Sequence, residues 1–115
     1  SVIQINGKLY FQTDKTFRKY RQIAQNPNVS LCIDNIQIEG CCKEIGRPLE
    51  NNEFLQKFQR CFPDSYKRYS LLENEVLFEM TPTYIERWVY IDSVPFIEIY
   101  DVSNEEYRLD EYKGI

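Results

Sequence analysis

Four β-rich runs follow one another near the end of the chain, at 76–80, 84–91, 96–102 and 107–109, with only a few residues between each and the next. Connections that short cannot hold a crossover helix, so neighbouring strands must run antiparallel. Earlier in the chain Val2, Ile3 and Ile5 face Leu9, Tyr10 and Phe11 across Asn6-Gly7. That pair tolerates positive φ and signals a two-residue hairpin. VSLCI (29–33) and IQIEGCC (36–42), separated by Asp34-Asn35, read as another strand pair. The total is about seven strands, hence a mainly β fold: a barrel or curled sheet with inserted helices.

Two helices interrupt the strands. Asp14 is suited to cap a helix running to about Gln25 and stopped by Asn26-Pro27. At about 100° per residue, Phe17, Tyr20 and Ala24 fall on one face and Lys15, Arg18, Lys19 and Gln22 on the opposite one. Between Asn51 and Phe62, residues Phe54, Leu55, Phe58, Cys61 and Phe62 form a stripe that should pack on the core. Gly46-Arg47-Pro48 breaks the pattern before this helix, Pro63 ends or kinks it, and a short helical turn fits 64–69.

A chain of 115 residues can bury one core, so a single domain spanning 1–115 is expected. No apolar run is long enough to cross a bilayer as a helix, and the chain reads as soluble with no membrane partner. The spacings of Cys32, Cys41, Cys42 and Cys61 do not resemble the paired C-x-x-C of zinc sites. No metal is therefore expected, and the thiols read as buried and reduced, which fits a cytoplasmic protein. The chain has no histidine. Histidine general bases, Ser-His and Cys-His nucleophile pairs and histidine-ligated haem are thereby excluded.

Net charge is −4, unevenly distributed. From Glu73 to the end there are eleven acids and three bases, whereas Lys8, Lys15, Arg18, Lys19 and Arg21 are opposed only by Asp14. Overall acidity argues against nucleic acid as a partner. The local cation cluster at a strand-to-helix junction suits one small anion, because free backbone N–H groups and the helix dipole add to the side-chain charge. On spacing alone a solvated basic helix face is the stronger reading. The acidic stretch with Glu105, Glu106, Asp110 and Glu111 reads as a solvated edge or tail.

Residue identity sharpens this choice. The run F-Q-T-D-K-T-F-R-K-Y-R-Q-I-A-Q-N-P-N-V-S-L, residues 11–31, resembles the pyridoxamine 5′-phosphate oxidase-like family of antiparallel FMN-binding split β-barrels. Ile36-Gln37-Ile38-Glu39-Gly40 is similar to that family's next strand, and Pro82-Thr83-Tyr84-Ile85-Glu86-Arg87-Trp88 to its P-x-x-I-E-x-W strand. The resemblance implies that Gln12 and Thr13 bind the phosphate end of FMN and that Arg18 and Lys19 neutralise it. It implies that Asn35, where the family usually has Gln, contacts the flavin, and that Trp88 stands near it, in many members across a dimer interface. An ordinary core or interface tryptophan is the plainer alternative for Trp88.

The same resemblance implies a homodimer and an FMN-dependent oxidoreductase acting on an unknown small molecule, with NADH or NADPH as candidate electron donor. It also implies that the family's first helix and first strand or strands would lie before Ser1. Alternatives are a flavin-binding storage or sensing protein without turnover, and a dimeric interaction module without flavin. Tyr107-Arg108-Leu109 matches only part of the ending with which true oxidases bind substrate, and the accompanying histidine is missing. Pyridoxamine 5′-phosphate oxidase activity itself is not expected.

Overall fold

The computed structural model describes residues 1–114. They form two compact units: Ser1–Pro27 with Cys42–Thr81, and Asn28–Cys41 with residues 82–114.

In the first unit, β1 (Ile3–Ile5) and β2 (Lys8–Asp14) make the expected hairpin. Asn6 and Gly7 take φ values of 52° and 79°, the left-handed pair required by the turn type whose twist matches its strands. β2 then pairs antiparallel with the first part of β5 (Glu75–Ile91), from Leu9 opposite Met80 to Asp14 opposite Glu75. Directly opposed residues share a face of the ladder. On one face Phe11 stacks on Phe78 with ring centroids 5.5 Å apart, and Tyr20 of α1 (Arg18–Gln25) packs on the same Phe78 at 5.9 Å. On the other face Leu77 joins Ile3, Phe54 and Phe58 in a buried cluster, with Tyr10, Leu55, Phe62 and Tyr66 packed around it. Burying Phe54 and Phe58 fully contributes about 1.5–3 kcal/mol for each ring.

Phe54 and Phe58 belong to α2 (Asn52–Cys61), whose start is fixed by the Asn51 side chain accepting the Phe54 N–H at 2.9 Å. Pro48–Glu50 forms a 3-10 turn ahead of it. Pro63 opens a short α3 (Pro63–Ser65), which runs into a π-helical turn over Tyr66–Ser70.

The second unit contains β3 (Asn28–Ile33) paired antiparallel with β4 (Ile36–Glu44), joined at Asp34-Asn35. β4 neighbours β5 in the strand order. The second part of β5 pairs with β6 (Val94–Asp101), and β6 with β7 (Glu106–Glu111). Arg87 on β5 and Tyr107 on β7 both reach the Glu98 carboxylate on β6, each at 2.9 Å, tying the three strands together. The β1–β2, β2–β5, β3–β4, β5–β6 and β6–β7 pairs are antiparallel, and where consecutive strands are joined by a few residues the short connections required it.

Four local expectations change. The helix begins at Arg18, not after Asp14: the Asp14 carboxylate instead accepts the Thr16 N–H at 2.8 Å and the Thr16 hydroxyl at 2.6 Å, closing a separate turn. Its buried residue is Ile23, while Phe17 is 60% exposed and Ala24 is also exposed. The stripes at 76–80 and 84–91 are one continuous strand, because Pro82 has a φ compatible with extended backbone and lacks only the donor that a ladder position can do without. Of the four thiols only Cys42 is buried; Cys32, Cys41 and Cys61 are exposed, Cys41 because adjacent strand residues alternate faces and Cys61 because Phe62 and Tyr66 occupy the core beyond α2. The acidic stretch agrees with one of its two readings: it forms an exposed edge strand, β7.

No described helix is long and apolar enough to cross a membrane, and no cluster of metal-ligating side chains occurs among the described residues.

Candidate functional site

At the end of the β2–β5 ladder the first unit opens a pocket of about 350 Å³. Its polar wall carries Gln12, Thr13, Asp14, Lys19 and Glu75, and its apolar wall includes Phe11, Phe17, Phe58, Tyr69 and Leu72. Three of the residues assigned to the phosphate end, Gln12, Thr13 and Lys19, therefore come together. Thr13 is only 6% exposed. The Gln12 side-chain oxygen accepts a hydrogen bond from the Ser70 hydroxyl at 2.8 Å, which fixes its orientation. The Lys19 ammonium lies 4.8 Å from the centre of the Phe11 ring, within cation–π range. Arg18 precedes it at the first helical position and is exposed, outside the residues that line the pocket.

The helix start is electrostatically incomplete. Phe17 occupies the N-cap position and contributes no side-chain cap, and the first turn holds no acidic residue. Backbone N–H groups at a helix start need acceptors, and the dipole there favours negative charge. Arg18, Lys19 and Arg21 instead add positive charge at that end. The ion pairs among the described residues, Lys8–Glu79, Arg87–Glu98 and Arg108–Asp110, do not involve Lys15, Arg18, Lys19 or Arg21. The Asp14 carboxylate, held below its ordinary range by its hydrogen bonds from Thr16, is committed to its own turn. This donor set fits a phosphate: unfilled N–H groups, a buried hydroxyl and cations without carboxylate partners.

Lys8, also in the cation burst, has another role. Its ammonium lies 3.2 Å from Glu79, which accepts the Tyr10 hydroxyl at 2.9 Å. The Tyr10 bond, with help from Lys8, holds Glu79 below the usual carboxylate range, whereas burial and the adjacent Glu79 push Tyr10 up to about 12.

Glu75 was not singled out by the sequence. It is 5% exposed, stands opposite Asp14 in the ladder and lines the pocket. Burial, with the nearby Asp14 charge adding to it, raises its carboxyl from an ordinary 4.5 to about 7. The available signal was a glutamate directly before the apolar run Val76-Leu77-Phe78.

Asn35 and Trp88 lie in the second unit, where they are joined directly. The Asn35 side-chain amide donates to the Trp88 carbonyl at 2.6 Å, and the Trp88 backbone N–H donates to the Asn35 carbonyl at 3.0 Å. One Asn35 amide hydrogen is thus engaged in fastening the β3–β4 turn to β5. The Trp88 indole is 39% exposed and packs tilted against Tyr112 at 4.7 Å.

No family model and no curated sequence matches the chain. Solved structures do. A NimC/NimA family protein from Clostridium acetobutylicum superposes with a TM-score of 0.54 and 17% identity over 97% of this chain and 71% of that one. A pyridoxamine 5′-phosphate oxidase-related, FMN-binding protein from Nostoc punctiforme superposes with a TM-score of 0.51 and 13% identity over 93% of this chain and 72% of its own. With the antiparallel strands and inserted helices described above, these likenesses identify the fold: the chain is a mainly β protein with the split-barrel architecture of the pyridoxamine 5′-phosphate oxidase-like proteins.

Proposed function

We propose that the chain binds FMN, with the phosphate at the mouth of α1, and uses it as an oxidoreductase on a small molecule. The observation that carries this reading is the uncapped, cation-flanked start of α1 beside Thr13. An anion there accepts the unfilled N–H groups and relieves the unfavourable positive charge at the positive end of the helix dipole. Thr13 supplies a hydroxyl, Lys19 a point charge, and Arg18 a planar fork able to reach a phosphate from outside the pocket wall. FMN, when bound, supplies the hydride or electron transfer, and the protein supplies position and electrostatics.

Trp88, exposed in the second unit, and Asn35, hydrogen-bonded to it, are the residues assigned to the flavin by the sequence resemblance. A homodimer is part of the same reading. One face of the β5–β6–β7 sheet carries Ile91, Val94, Tyr100, Tyr107 and Leu109, each between 36% and 51% exposed, and among the described residues β7 pairs with β6 alone. Exposed apolar area of this kind and an open strand edge are both covered by association. NADH or NADPH is the proposed electron donor.

The test is the visible spectrum of purified protein with FMN, followed by anaerobic mixing with NADH or NADPH. Bound flavin that is reduced and then reoxidised by an added acceptor supports the oxidoreductase. Bound flavin that resists reduction identifies a storage or sensing protein, and absence of binding leaves a flavin-free module.

A further inference from the structure

The β2–β5 ladder has two faces, and the pocket at its end is lined from both. Thr13 pairs with Val76 and shares the face of Phe11, Phe78 and α1, where the groups suited to an anion stand. Gln12 pairs with Leu77 and Asp14 with Glu75, so their side chains take the other face, that of α2 and the Tyr66–Ser70 turn. There the pocket wall consists of Gln12, Asp14 and Glu75 beside Phe58, Tyr69 and Leu72. Glu75 is buried yet lines the pocket, and among the described residues no hydrogen-bond donor or cation pairs with its carboxyl. Asp14 receives both Thr16 bonds on one oxygen, Oδ1, and its Oδ2 has no hydrogen bond among the described residues. Buried polar and charged groups are normally paired, so two carboxyls on one face without a positive partner mark a place for one. The surrounding wall selects its kind. A hard metal ion takes about six or more oxygen ligands, and no cluster of metal-ligating side chains occurs among the described residues. An organic ammonium instead brings three N–H donors and a carbon body, which the exposed apolar surface of Tyr69 and Leu72 can receive.

We propose that the α2 side of this pocket is a binding subsite for an organic ammonium ion, with Glu75 and Asp14 accepting its N–H groups and Phe58, Tyr69 and Leu72 receiving its apolar body. The subsite is independent of the phosphate site proposed above, which lies on the other face of the ladder. The chain's own cations nearby are placed elsewhere. Lys19 lies over Phe11 on the α1 face, Arg47 donates to the Leu72 carbonyl at 3.2 Å, and Lys57 of α2 donates to the Gln4 carbonyl. Lys15 follows Asp14 at the ladder end, Lys67 and Arg68 of the π-helical turn are exposed, and Ser1 carries its amino group at the pocket rim. None of them forms an ion pair with Glu75 among the described residues. The remaining titratable neighbours are Tyr69, Glu73 and Asp14, the last kept ionised by its Thr16 bonds. Burial and the Asp14 charge raise the Glu75 carboxyl to about 7 in the free protein, and a bound cation lowers it. Below that pH an entering ammonium displaces the Glu75 proton to solvent, so affinity rises with pH until the free carboxyl is ionised.

The test is titration of the full chain with benzylamine and with benzyl alcohol, an uncharged counterpart of similar shape, followed in amide NMR spectra at about pH 5.5 and about pH 7.5. The amine stays charged at both values, so the pH dependence reports on the protein. At the higher pH benzylamine is expected to bind at least about tenfold tighter than benzyl alcohol and to shift the amide signals of Gln12, Asp14 and Glu75. Its Kd is expected to be at least about tenfold weaker at the lower pH. Glu75→Gln, uncharged and of nearly the same shape, is expected to remove that pH dependence and most of the preference for the amine. Equal affinity for amine and alcohol in the wild type, shifts confined to other residues, or no binding of benzylamine up to about 10 mM overturns the subsite. A pH dependence retained in Glu75→Gln overturns the role of Glu75. If the variant fails to fold, the wild-type comparison of amine and alcohol at the two pH values decides alone. No arm requires FMN, so failure here leaves the phosphate site standing.

Discussion

Asp14 and Glu75 stand opposite each other at the end of the β2–β5 ladder, one carboxylate satisfied by Thr16 and the other buried without a donor. Their inequality makes stability pH-dependent. The Glu75 carboxyl is raised to about 7 from an ordinary 4.5 by burial and by Asp14, so the folded chain keeps a proton that the unfolded chain releases between those values. Stability from this group is therefore highest at acidic pH, declines as pH rises from the lower value to the upper one, and is level beyond. The decline is up to about 3 kcal/mol. Urea denaturation of the wild type and of Glu75→Gln, at about pH 5 and about pH 8, is expected to show this decline only in the wild type.

The core that borders the pocket through Phe58 depends on α2. Phe54 is fully buried in the cluster with Ile3, Phe58 and Leu77, and stacks on Phe58 at 5.0 Å. Phe54→Ala is expected to destabilise the chain by about 3–5 kcal/mol, read as a lower urea midpoint. An effect below about 1 kcal/mol contradicts the core described here.

The β5–β6 turn is strained in a correctable way. Asp92 and Ser93 adopt φ of 51° and 67°, a conformation that glycine enters without the steric cost borne by Ser93. Ser93→Gly is expected to stabilise the hairpin by up to about 1 kcal/mol, visible as a rise of several degrees in Tm.

Much of the fold was legible because its signals are local. Asn6-Gly7 named its turn, the helical stripe of Phe54 and Phe58 named α2, and short connections required antiparallel strands. What escaped depends on distant partners. Asp14 looks like a helix cap in sequence, yet Thr16 captures its carboxylate first and α1 starts later. Pro82 looks like a break, yet β5 passes through it. The candidate site divides similarly: Gln12, Thr13 and Lys19 share a pocket, whereas Glu75 is recognised only through a cross-strand register that no local pattern specifies.

Trp88 provides an optical check, being the chain's single tryptophan. If its exposed indole stands near bound flavin as proposed, FMN quenches its emission in step with binding. Emission that stays constant through a saturating titration assigns Trp88 to packing against Tyr112 alone.

The most direct measurement of the central claim is a paired titration with FMN and with riboflavin, which differ in the phosphate, on the wild type and on an Arg18→Ala, Lys19→Ala variant. Charge-assisted hydrogen bonds contribute roughly 1.5–3 kcal/mol each. FMN is expected to bind the wild type more than about tenfold tighter than riboflavin, and the variant to lose this advantage while its riboflavin affinity is unchanged. Equal affinity for the two ligands, or an advantage retained in the variant, contradicts a phosphate site at the start of α1.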